Sequence, residues 1–148
     1  MKISSKITVI CLCLSSLIGL NARSADGKCR ALALRGGGTK GAYEVGVLKA
    51  VINELDPIEY AYDVVVGVSI GALNAAFLSV FDKGQEKEAV DFMENVWNTT
   101  SPSDLYTWWP YVNIAAGIWR SSFLDSTPLH NRVRGYIEGK TFKRKVAF

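Results

Sequence analysis

The sequence predicts an α/β fold built on a parallel sheet, and three observations carry that expectation. Two short apolar runs, residues 29–35 and 62–68, each stop at a glycine-containing loop. Each loop leads into a helix-patterned segment, and the connections are short. Strand, helix, strand, helix in that order is a βαβ unit, for which a right-handed crossover is expected. The chain has 148 residues, 49% hydrophobic and 21% charged, which supplies a core and too little charge for a disordered chain. One domain is the natural count.

Residues 1–24 read as a secretory signal, with Lys2 and Lys6, then the apolar stretch Ile7 to Leu20, then Asn21-Ala22-Arg23-Ser24. As a helix that stretch would reach about 21 Å, short of the roughly 30 Å of a bilayer core, so cleavage and secretion are expected rather than anchoring. No apolar run is long enough for a membrane span in the mature chain. Cys11 and Cys13 leave with the signal, and Cys29 remains alone without an internal disulfide partner. Asn98-Thr99-Thr100 is an N-glycosylation acceptor on a eukaryotic route, or else an unmodified polar helix end.

Cys29 to Arg35 reads as a buried strand that stops at three glycines. Val47, Leu48, Val51, Ile52 and Leu55 recur at helical spacing, with Glu44, Lys49 and Asn53 off the stripe, so residues 41–55 are expected to form an amphipathic helix ended by Asp56-Pro57. Tyr62 to Val68 has consecutive valines, suited to a parallel strand covered on both faces. Ser69 follows, then an Ala- and Leu-rich helix from Ile70 to about Phe81. Ala89, Phe92, Met93, Val96 and Trp97 mark a third helix whose stripe belongs to the core.

Ser101-Pro102-Ser103-Asp104 breaks the pattern. Tyr106 to Trp119 holds three tryptophans and two tyrosines, for which core packing is expected, with contact to a lipid surface as the alternative. Thr127 is the expected N-cap of a helix with Pro128 in its first position, running to about Glu138. Thr141 to Ala147 starts as a strand.

Charge excludes one class of partner. Three of the 17 basic side chains, Lys2, Lys6 and Arg23, precede residue 25, and from Ala25 onward 14 face 14 acidic ones. Nucleic acid requires a dense basic face, and none is written here.

The chemistry is expected at the ends of the two strands. Gly67-Val68-Ser69-Ile70-Gly71 matches G-x-S-x-G between an apolar strand and a helix, the setting of a nucleophile elbow. A sharp turn there lifts the Ser69 hydroxyl clear of the backbone, and Gly67 and Gly71 let the chain pass without Cβ clashes. Gly36-Gly37-Gly38-Thr39-Lys40-Gly41 ends the first strand and opens the first helix. Unobstructed N–H groups of Gly36, Gly37 and Gly38 could donate to a developing negative charge, as an oxyanion hole does. Adjacent parallel strands present both loops on one edge of the sheet.

Residues 33–43, Ala-Leu-Arg-Gly-Gly-Gly-Thr-Lys-Gly-Ala-Tyr, with Val47-Leu48-Lys49-Ala50 and with Gly67 to Ala76, resemble the patatin-like phospholipase family. The likeness is close over residues 30–80, and Phe123 to Leu129 resembles a later segment of the form f-D-x-x-P-L. The resemblance implies a three-layer α/β sandwich with a mainly parallel central sheet, residues 29–148 forming its N-terminal portion. It also implies an acyl lipid or phospholipid substrate, which a membrane surface could present, and no metal or cofactor. By position Ser69 becomes the nucleophile, Gly36, Gly37 and Gly38 the oxyanion hole, and Gly41, Gly67 and Gly71 the motif glycines. The family's base is an aspartate in a downstream Asp-Gly-Gly or Asp-Gly-Ala. Here the sole Asp-Gly is Asp26-Gly27, ahead of both motifs, so little turnover is expected of this polypeptide alone.

Three other readings compete. A Ser-His-Asp triad would take Ser69, then Asp82, Asp91 or Asp104, then His130, the single histidine, for which a surface or capping role on a helix is the plainer account. A dinucleotide-binding module would use the glycine loop with Glu54, Asp56 or Glu59, and would leave Ser69 unexplained. A secreted lipid binder without catalysis would account for the aromatic stretch and the missing aspartate.

Overall fold

The computed structural model describes residues 26–109 and 124–148. The signal segment and most of the aromatic stretch lie outside them.

Strand β1 (Ala31–Leu34) leads through the glycine loop and a single 3-10 turn, Gly38–Lys40, into α1 (Gly41–Glu54). A short helix α2 (Pro57–Tyr60) precedes β2 (Val64–Gly67), which is followed by α3 (Ile70–Ser79) and α4 (Glu86–Asn98). After a 3-10 turn at Pro102–Asp104 come β3 (Thr107–Trp108), β4 (Leu124–Asp125), α5 (Thr127–Ile137) and β5 (Lys145–Ala147). The main sheet has the order β1-β2-β5 and is parallel throughout, with Leu34 opposite Gly67 and Val65 opposite Val146. β3 and β4 form a separate antiparallel ribbon. The βαβ unit is therefore where the sequence placed it, and β1 and β2 end level with one another.

α3 is the central helix, because it alternates small and large apolar residues and can lie flat on the sheet. Ala75, Phe77 and Leu78 on it pack with Leu34 and Val65 of the sheet, Val45 and Leu48 of α1, and Ala89, Val90, Met93 and Val96 of α4. Phe77, Phe92 and Tyr136 extend this core toward α5 through edge-to-face ring contacts 5.6–5.9 Å apart. The α4 stripe lies in the core as its spacing required.

Local differences from the sequence expectation have identifiable causes. Val47 and Leu55, assigned to the buried stripe of α1, are both 44% exposed, because that helix meets its neighbours through Gly41, Val45 and Leu48. Asp56-Pro57 ends α1 as expected, and Pro57 then opens α2, its fixed φ suiting a first helical turn. Thr127 is inside α5 and Ser126 takes the cap position, because the Asp125 carboxylate accepts from both the N–H and the hydroxyl of Thr127, at 2.9 and 2.6 Å. Tyr106 and Trp108 are exposed and so are not core, whereas Trp109 beside them is half-buried. Val66 in the middle of β2 is also partly exposed, since the described helices pack against the other face of that strand.

The C-terminal strand is held by a buried ion pair. Arg144 donates to Glu86 at 2.7 Å and to the carbonyls of Tyr62, Phe81 and Asp82, with both charged side chains almost wholly buried. Glu86 in turn accepts from the N–H groups of Tyr62 and Gly84. Burial of the Tyr62 ring, with the Glu86 charge second, pushes its phenol pKa up.

Candidate functional site

The turn after β2 is strained in a manner that its sequence explains. Val68 N–H still donates to Leu34 C=O at 3.2 Å, so the chain keeps the alignment of the two strands one residue past β2. Ser69 then adopts φ 55° and ψ −122°, and among the described residues it is the one non-glycine with positive φ. Such a conformation costs on the order of 1–3 kcal/mol and persists only where surrounding contacts impose it. Here Gly71 N–H donates to Val68 C=O at 3.0 Å and Ala72 N–H to Ser69 C=O at 2.9 Å, closing the turn directly into α3.

The flanking glycines are dictated by space. A Cβ on Gly67 would stand 2.2 Å from the Gly71 carbonyl oxygen, and one on Gly71 would stand 2.6 Å from the Leu34 carbonyl oxygen. Both obstacles are backbone, which cannot rotate aside. The Ser69 side chain is left exposed at the tip, and its hydroxyl makes no capping hydrogen bond to α3.

The glycine loop reaches that serine. A Cβ on Gly36 would lie 3.2 Å from Ser69 Cβ and 3.3 Å from the Val68 carbonyl oxygen, so Gly36 is where the two loops touch. Gly37 and Gly38 follow and are exposed, Gly38 with φ 58°. Among the described residues the N–H groups of Gly36, Gly37 and Gly38 donate to no carbonyl, whereas the next amides are used: Lys40 N–H binds Gly37 C=O at 3.2 Å and Gly41 N–H binds Gly38 C=O. Gly41 itself packs beneath Ile70 and Trp97, where a Cβ would be 2.6 Å from each. The arrangement thus brings Gly36 beside an exposed serine, with Gly37 and Gly38 next along the same loop.

One contributor was missed in the sequence. Asn74, fully buried on α3, donates through Nδ2 to the Gly41 carbonyl at 3.0 Å and to Glu44 at 2.9 Å, and its Oδ1 accepts from Trp97 Nε1 at 3.0 Å. It ties the exit of the glycine loop to the helix that begins at the serine. The signal was present, since asparagine within Ala-Leu-Asn-Ala-Ala is a poor helix former with no apolar reason to be there.

The other titratable candidates lie elsewhere. His130 is exposed on α5 with its Nε2 3.0 Å from Arg134 Nη2. Asp91 pairs with Lys87, and Asp104 accepts from Ser101 N–H and hydroxyl, which lowers its pKa. Asp26 is held well below the usual carboxylate range, first by Arg30. Asp82 is exposed, its N–H taken by Gln85 and its carbonyl by Arg144. None of these groups is hydrogen-bonded to Ser69. Among the described residues no cluster of three or more His, Cys, Asp or Glu could hold a metal ion, and no helix is long and apolar enough to cross a membrane. Cys29 is free and exposed.

A parallel sheet flanked by helices, with a serine on a strand-to-helix turn and a glycine loop against it, defines an α/β protein. Residues 32–148 match the family model described as patatin-like phospholipase, and the chain belongs to that family, whose members are lipid hydrolases. It is similar to a cUMP-AMP-activated phospholipase from Escherichia coli, 46% identical over 56 residues that make up 37% of this chain and 18% of that protein. The match thus spans less than a fifth of the relative's length. No solved structure matches the chain.

Proposed function

We propose that this chain carries the acyl-accepting half of a lipid acyl hydrolase of phospholipase A or esterase type. Ser69 is the nucleophile, and the N–H groups of Gly36, Gly37 and Gly38 receive the negative charge that develops on the ester carbonyl oxygen. The observation that carries this reading is the Ser69 backbone at φ 55°, which holds an exposed serine at the tip of the strand-to-helix turn and against Gly36. In the first step Ser69 Oγ bonds to the acyl carbon, the hydroxyl proton goes to a base, and the alcohol or lysolipid leaves with a proton. Water then attacks the acyl-serine, freeing the fatty acid and restoring the hydroxyl. Free amides in the right place are worth about 3–4 kcal/mol of transition-state stabilisation each by analogy with other oxyanion holes.

The described residues do not supply the base for Ser69. Among the described residues no carboxylate or imidazole is bonded to Ser69, and residues 70–148 contain no Asp-Gly. A 148-residue polypeptide of this sequence is therefore expected to acylate slowly and turn over little. Ser69 and the glycine loop would still accept an activated phosphonate. The test is labelling of the full natural polypeptide with a fluorophosphonate, followed by peptide mapping. A label on Ser69 that disappears in Ser69→Ala supports the assignment, and an unlabelled Ser69 overturns it. The short N-terminal segment, residues 1–24, is proposed to direct secretion, which intact-mass measurement of the exported protein would check.

A further inference from the structure

α1 is apolar on two faces, and the second face has no partner among the described residues. Val45 and Leu48 point into the core, whereas Tyr43, Val47 and Ala50, at i, i+4 and i+7, form a separate exposed stripe. Tyr43 is 75% and Val47 44% exposed. An ordinary surface helix would carry charge on that side. Two charged groups of α1 are turned to other partners, Glu44 accepting from Asn74 and Lys49 pairing with Glu94, and the acidic group on this row is Glu54, exposed at its far end from the glycine loop.

The stripe begins at the exit of the glycine loop, two residues after Gly41. Across that loop Val68 is 64% exposed immediately before Ser69. Arg35 and Lys40 bracket the loop, both exposed, and among the described residues neither has an acidic partner. Apolar side chains beside unpaired cations, on one rim, match a surface with hydrocarbon below and anionic headgroups above.

We infer that the Tyr43–Val47–Ala50 face of α1, with Arg35 and Lys40, docks the protein on an anionic phospholipid surface. The inference rests on the proposed function in one respect: docking there holds the Ser69 tip at the lipid, so an acyl ester reaches the glycine loop without crossing water.

The test is co-sedimentation of the full natural chain with vesicles of phosphatidylcholine, with and without phosphatidylglycerol, alongside fluorophosphonate labelling in solution. Wild type is expected to bind the phosphatidylglycerol vesicles preferentially. The double variant Tyr43→Ser/Val47→Ser should partition about tenfold less or worse, with unchanged thermal unfolding and unchanged labelling of Ser69. Lys40→Gln should lose about fivefold on anionic vesicles and nothing on neutral ones. Equal binding of the double variant and wild type overturns the inference, as does equal binding to both vesicle types. A chain dimer broken by the double variant, without vesicle binding, overturns it in favour of a second copy. Labelled Ser69 without vesicle binding refutes docking alone, while vesicle binding lost in the double variant with Ser69 unlabelled refutes the catalytic assignment alone.

Discussion

Ser69 sits in a conformation that its own side chain disfavours, and the residues around it leave no alternative. Gly71 is the clearest case. Gly71→Ala would drive a methyl into the Leu34 carbonyl at 2.6 Å, so the strands or α3 must move apart. We expect a loss of about 3 kcal/mol or more in urea unfolding, and loss of fluorophosphonate labelling with it. Gly36→Ala is a finer probe. Its methyl would stand 3.2 Å from Ser69 Cβ, a squeeze that a shift of a few tenths of an ångström relieves. Stability should change by less than about 1.5 kcal/mol, while the labelling rate at Ser69 should fall about tenfold or more, because the donors move with the loop. Equal losses of stability and rate in Gly36→Ala would mean that the loop has no role beyond packing.

At the scale of elements, the site depends on how α1 and α3 are locked together. Asn74 does this with three hydrogen bonds made in a fully buried position. Asn74→Ala leaves the Gly41 carbonyl and the Trp97 N–H without this partner, and a cost of about 1–3 kcal/mol is expected from thermal or urea unfolding. Helix α5 shows the opposite case, a slack position. Gly135 lies inside α5 with open space where a Cβ would stand, nothing coming within 4 Å of it. Gly135→Ala should therefore stabilise by about 0.5–1 kcal/mol, read as a rise in melting temperature. Periodicity placed α4 and the two motif-bearing strands well, since their apolar repeats meet the core directly. It misread α1, where Val47 fits a helical stripe in the sequence yet faces out, because a helix with apolar residues on two sides does not say which side is inside.

For the molecule as a whole, β5 is joined to the rest by Arg144 as much as by the sheet. Arg144→Met would leave the Glu86 carboxylate buried without its cation, and should cost about 3–5 kcal/mol in urea unfolding; Arg144→Lys should recover only part, since a lysine cannot serve Glu86 and three carbonyls at once. A second link, Asp63, accepts from Lys83 and from the Arg30 N–H, and these bonds, Lys83 first, lower its pKa. A lowered folded-state value means that the ionised form favours the fold. Its contribution is complete above the ordinary value of 3.8 and is lost as pH falls through the lower folded value. Asp63→Asn should therefore weaken the protein at pH 7 and flatten the decline in stability below about pH 4, measured as urea midpoints across that range.

The order of residues alone determined the α/β class and the two loops, with Ser69 as the candidate in the second of them, because strand, turn and helix signals are local and the G-x-S-x-G and triple-glycine motifs are contiguous. Contacts between distant segments settled the rest. That Gly36 touches Ser69, that Asn74 clamps the loop exit, that Arg144 is buried against Glu86 and that Val47 faces outward all depend on which surfaces meet once α1, α3 and α4 pack on the sheet. Packing is a property of pairs of faces far apart in the chain, and no local pattern specifies which partner a given face will find.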